Sequence, residues 1–106
     1  MSGLPGISAA FESFLKEAPA HASAWMACVK ALGAVGALEE KTAHLAYLSV
    51  LAALRLESGV AFHVGLAKRA GASRAEVVSA ILVGLPAAGN AVTQSLPVAL
   101  EAYDAT

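Results

Sequence analysis

Residues 39–76 read EEKTAHLAYLSVLAALRLESGVAFHVGLAKRAGASRAE, and the reading of this stretch decides the fold. Glu39 and Glu40 open a helix with acidic side chains at the positive end of its dipole. From Thr42 to Leu54 only a protonated His44 would carry charge, and apolar residues surround the axis. A helix that is hydrophobic all round is expected to be buried on all sides. One stripe differs, since Lys41, His44, Leu48, Leu51 and Arg55 follow the spacing of a single face. A break comes at Glu57-Ser58-Gly59, where Ser58 is placed to cap the next helix and Gly59 eases the turn. On that helix Val60, His63, Val64 and Ala67 share a face. Lys68 and Arg69 fill its last turn, and Gly71 takes the left-handed position that ends many helices. Ser73-Arg74-Ala75-Glu76 is then a capping box for the helix that follows. Residues 39–70 thus read as an antiparallel helical hairpin at the centre of the chain.

Outward from the hairpin the signals remain helical. Residues 1–6 are a Gly/Pro-containing lead with nothing to pin them, expected to be loosely ordered. Ser8 caps a first helix whose apolar face carries Phe11, Phe14 and Leu15. Pro19 suits the first turn of a second helix, with Trp25, Met26, Val29 and Leu32 on its buried side and an end near Gly33 or Gly36. After the capping box, helix five runs through Val77, Ile81 and Leu85 to about Pro86. A last segment continues to Asp104, kinked or restarted at Pro97, where Ser95 is a candidate cap. No strand pattern competes. The expected fold is all-α, with five or six helices in one domain over residues 1–106.

The 106 residues are 58% hydrophobic and only 14% charged, against about 45–50% and about 25% in ordinary globular chains. A domain this small cannot hide so much apolar surface inside itself, which implies a homo-oligomer. The net charge of −1 offers no basic field for nucleic acid, and Lys68-Arg69 reads as a helix C-terminal pair. Residues 77–100 carry no charge, yet Pro86, Gly89-Asn90, Thr93-Gln94-Ser95 and Pro97 interrupt the run. Buried helices explain it better than a membrane span. No basic-then-apolar leader is visible, so a cytoplasmic location is expected. The single cysteine, Cys28, excludes an intrachain disulfide or a Cys-x-x-Cys pair and reads as a small core residue.

His63 is the leading candidate for chemistry, since imidazole titrates near neutrality and serves as a proton shuttle. The competing reading is a core histidine bonded to a neighbour. His44 carries the same ambiguity, and hairpin geometry does not by itself bring the two together. Arg55 and Glu57 flank the break, where an acid and a base often form a solvent-exposed pair. His21 reads as a surface residue. No His-x-x-x-His spacing or glycine-rich phosphate loop is present, and neither a metal nor a cofactor is expected.

The Lys-Thr pair opening an apolar helix at 39–48, His63, the run Arg69-Ala70-Gly71-Ala72-Ser73-Arg74-Ala75-Glu76-Val77 and the Gly/Pro/Ala run at 84–91 resemble the carboxymuconolactone decarboxylase family. That family includes the alkyl hydroperoxidase D-like proteins. The similarity covers most of residues 36–104. It implies an all-α trimer or hexamer in which central helices pack across subunits. The peroxidase branch of this family uses a glutamate, a Cys-x-x-Cys pair and a histidine. Placed on this chain the histidine is His63, the cysteine positions fall on Leu56 and Gly59, and the glutamate position falls on His44. Without a low-pKa thiolate there is no nucleophile for a hydroperoxide. The decarboxylase branch also lacks the cysteines and keeps the histidine. The resemblance therefore implies acid/base chemistry on a small carbonyl or lactone acid, with His63 as general acid/base, His44 across the pocket and Arg55 as carboxylate anchor. The alternative is a catalytically lapsed member that survives as an oligomeric binding or scaffold protein.

Overall fold

The structure, a computed structural model, describes residues 6–106. Over these residues it is all-α: α1 (Ala9–Glu17), α2 (Pro19–Ala34), α3 (Glu40–Ala53), α4 (Val60–Arg69), α5 (Arg74–Leu82), the one-turn α6 (Leu85–Ala88) and α7 (Leu96–Ala105). Two 3-10 segments, Glu57–Gly59 and Asn90–Ser95, join α3 to α4 and α6 to α7. The core is a single cluster: Leu48, Leu51 and Ala52 of α3, Val60, Val64 and Ala67 of α4, Val77 and Ile81 of α5, with Ala72, Val92 and Ala99. Full burial of each Val, Leu or Ile contributes about 1.5–3 kcal/mol. The alanines let the helix backbones approach closely.

Both ends of α3 are anchored. Lys41 reaches Glu76 at 3.2 Å, tying the start of α3 to the start of α5. Further along, the Ser49 hydroxyl donates to the Ala80 carbonyl at 2.7 Å. At the other end the chain leaves α3 through a Schellman-type turn. Leu56 N–H donates to the Leu51 carbonyl at 2.9 Å and Arg55 N–H to the Ala52 carbonyl at 3.3 Å. The left-handed residue is Arg55, with φ 61. The same motif ends α4, with Ala72 N–H on the Ala67 carbonyl at 3.0 Å and Gly71 at φ 101. A glycine there costs no Cβ clash, whereas the arginine is held against its preference.

Lys68 is a structural cation. Its Nζ donates to the Tyr103 carbonyl at 2.8 Å and lies 4.3 Å from the centre of the Tyr103 ring. The Tyr103 hydroxyl donates to the Ala72 carbonyl at 2.8 Å, and Arg74 meets Asp104 at 2.9 and 3.0 Å. These contacts fasten the end of α7 to the turn between α4 and α5.

Several expectations are corrected. The apolar face of α2 is not buried: Trp25 is 53% exposed and Leu32 65%, Met26 and Val29 are also exposed, and Ala22 is the one buried residue of the helix. The chief neighbour of α2 is α1, so periodicity marked an apolar face that no element among the described residues covers. Cys28 is likewise exposed. Helix α3 buries one side only, with Tyr47, Val50 and Leu54 exposed. Ser58 lies inside the 3-10 segment, and the N-cap position of α4 is Gly59, without a side-chain cap. Ser95 occupies the N-cap position of α7 but makes no cap, because its backbone is helical there and its hydroxyl is buried without a partner among the described residues. Helix α5 ends at Leu82, short of Pro86. Residues 1–5 of the lead lie outside the described residues. Gly6, at φ 82, presses on the backbone of Ala61 and Phe62 so closely that a Cβ would stand 2.8 Å from the Phe62 nitrogen.

The capping box holds as read: Glu76 N–H donates to Ser73 Oγ at 3.0 Å, and Ser73 N–H to Glu76 Oε1 at 2.8 Å. Ser73→Ala is expected to lower stability by about 1 kcal/mol. Ser58→Ala should change it by less than about 0.5 kcal/mol, the usual range for surface substitutions. Denaturant midpoints of the two variants check the contrast.

Candidate functional site

Three residues of α4, Val60, Val64 and Ala67, are fully buried. At 100° per residue, His63 stands at the edge of that stripe. The core therefore fixes the rotation of α4 and leaves the imidazole half-buried at the rim. Helix α3 does the same for its own pair. Leu48, Leu51 and Ala52 face inward, while His44 is partly buried and Tyr47 is 49% exposed.

The two rims meet. The ring of Tyr47 packs on that of His63 with centroids 4.3 Å apart at a tilt of 41°, and the Phe62 ring meets His63 edge-on at 5.3 Å. Among the described residues neither nitrogen of His63 makes a hydrogen bond. Burial holds its pKa below the usual 6.5, and the nearby His44 lowers it further. The structure thus brings His44 within electrostatic reach of His63, which hairpin geometry left open. His44 has its own carboxylate neighbour, with Glu40 Oε2 at 3.7 Å from its Nε2 one turn earlier. A neutral imidazole in this setting is available at neutral pH to accept a proton.

Arg55 is not gathered into this cluster. It turns to Glu57, with Nε at 2.7 Å from Oε2 and Nη2 at 3.4 Å from Oε1, and the pair is solvent-exposed as expected. It lies past the end of α3 at Ala53, in the turn that leaves the helix. Leu56 is exposed, and Gly59 lies beside Leu51, whose methyls would be 3.5 and 3.7 Å from a Cβ. His21 is exposed. Among the described residues no group of three or more His, Cys, Asp or Glu side chains is placed to hold a metal ion.

Sequence reasoning missed Tyr47. An aromatic residue within an apolar helix reads as core, and only its step of three from His44 placed it on the histidine's side of α3. A shallow groove of about 550 Å³ was also unforeseen. It runs between α3 and α5, lined by residues that include Leu45, Ala46, Ser49, Ser79 and Val83, and neither histidine reaches it.

An all-α domain with a histidine at the rim of its two central helices, and no cysteine beside it, defines the class. A model of the carboxymuconolactone decarboxylase family matches residues 19–101, and the chain belongs to that family. The match begins well before residue 36 and takes in α2. No curated protein and no solved structure matches the chain. The only cysteine is Cys28, in α2, so this member has no Cys-x-x-Cys pair. Among the described residues no helix is long and apolar enough to cross a membrane.

The His63 environment has a signature in stability. The folded state disfavours its protonation, whereas the unfolded chain takes the proton at about 6.5. Stability is therefore full above that value and falls as pH drops through 6.5 toward the lower folded-state pKa. His63→Gln should flatten thermal stability between pH 7 and 5 relative to wild type. Glu76 and Asp104, whose pKa values are held below 4.5 and 3.8 by hydrogen bonds from Ser73 and Arg74 respectively, titrate lower and should give both proteins the same acid limb. Parallel melting curves across pH check the separation.

Proposed function

We propose that this protein carries out cysteine-independent acid/base chemistry on a small carbonyl or lactone acid, with His63 as the proton-transferring group. The observation that carries this reading is a half-buried imidazole, free of hydrogen bonds among the described residues, with a pKa held below 6.5 and His44 close by. His44 would face the reacting atoms from α3. Arg55 would hold a carboxylate at the far end of a ligand that extends from His63 toward the turn.

The functional form in this reading is a cytoplasmic homo-oligomer, a trimer or hexamer. Support comes from Trp25, Val29, Leu32, Tyr47, Val50 and Leu54, all large, apolar and exposed on one chain. Further copies would cover these faces and supply the missing wall of a closed site at His63. Neither nucleic acid nor membrane belongs to this proposal.

One observation favours the alternative of a lapsed member acting as an oligomeric binding or scaffold protein. The groove between α3 and α5 is lined by neither histidine, so a ligand held there would need neither.

A thermal-shift screen with small carboxylic acids and lactones separates the two. Acid/base chemistry at His63 predicts ligand-dependent stabilisation of wild type that His63→Ala loses by at least tenfold in apparent affinity. Equal shifts in both proteins would remove His63 from the site and leave the scaffold reading.

A further inference from the structure

We propose that Tyr47 is the positioning residue of the His63 imidazole, fixing the ring by stacking where other histidines are fixed by a hydrogen bond. The inference rests on the reading of His63 as the working group. The tautomer and orientation of a functional histidine are ordinarily set by a partner on the second nitrogen. Among the described residues His63 has no such partner. What touches its ring is aromatic: Tyr47 from α3, with centroids 4.3 Å apart, and Phe62 from its own helix, edge-on at 5.3 Å.

The two contacts are not equivalent. Phe62 precedes His63 on α4 and moves with it. Tyr47 belongs to another element, and Leu48 and Leu51 bury α3 into the core beside it. It therefore ties the imidazole to the rest of the fold. Packed against the ring at a tilt of 41°, it is part of the burial that holds the pKa below 6.5. The titratable group that bears on the ring's charge is His44 of α3, itself 3.7 Å from the carboxylate of Glu40, while Lys41 of the same helix is held by Glu76. On α4 the nearest cation is Lys68, engaged by Tyr103. Glu40, Lys41, His44 and Lys68 are all unchanged when Tyr47 is replaced.

Proton NMR of the full chain reads the ring directly, with the His63 resonances assigned by their loss in His63→Gln. In Tyr47→Ala the carbon-bound ring protons of His63 should lose the ring-current displacement and the titration midpoint should rise toward 6.5. In Tyr47→Phe, which keeps the ring and drops the hydroxyl, both should stay as in wild type. Tyr47 is half-exposed on a single chain, so the alanine variant is expected to keep the fold of that chain. Tyr47→Leu, which retains bulk without an aromatic face, carries the same expectation if it does not. A midpoint that is unmoved or falls in the ring-less variant overturns the proposal, as does an equal change in Tyr47→Phe. No ligand enters the measurement, so a failed ligand screen and a failed titration are separate results.

Discussion

Val60, Val64 and Ala67 are completely shut off from solvent, and the placement of everything else follows from how tightly α4 is held by that stripe. Helix α4 is packed by α3 on one side and α7 on another, with Ala52 and Ala99, also at zero exposure, as the small residues facing it. Close-packed interiors transmit small changes in volume, so the rotation of α4 is not adjustable. His63 is at the edge of the buried stripe because the core leaves it nowhere else. The same holds for His44 and Tyr47 on α3. The candidate cluster thus lies at the seam where two buried faces give way to surface.

The core that enforces this is unusual in how its volume is distributed. Four of its members are alanines, while Trp25, Leu32, Val35, Leu38, Val50 and Leu54 remain exposed. Small residues inside bring helices together but bury little area each. The large apolar side chains are held outward by α2 and by the outer face of α3. A chain built this way is stabilised by close approach within and leaves large apolar side chains bare, which is why the functional reading includes further copies.

Some local signals were legible in the sequence. The Ser73–Glu76 capping box and Gly71 at its left-handed position are each determined by a few adjacent residues, and each stands where it was read, whereas α3 already ends at Ala53, before the break read at 57–59. The all-α class followed from the same signals. Burial on α2 was misread because periodicity says which residues share a face, not whether a neighbour covers it. Ser58 and Ser95 were misread because a capping residue must also adopt extended backbone, which tertiary packing decided against at both positions. The meeting of Tyr47 with His63 depends on the distance and register between two helices, and no single-chain pattern encodes that.

Trp25 is the only tryptophan in the chain and sits in the middle of the bare face of α2, which makes it a direct probe of whether that face is covered. Acrylamide quenching of its fluorescence, followed across a dilution series, tests this. If further copies cover the face, quenching is weak at micromolar protein and emission is blue-shifted, and both change toward exposed values on dilution. Strong quenching at every concentration, with emission typical of a solvated indole, would contradict it and leave the His63 site open on a single chain.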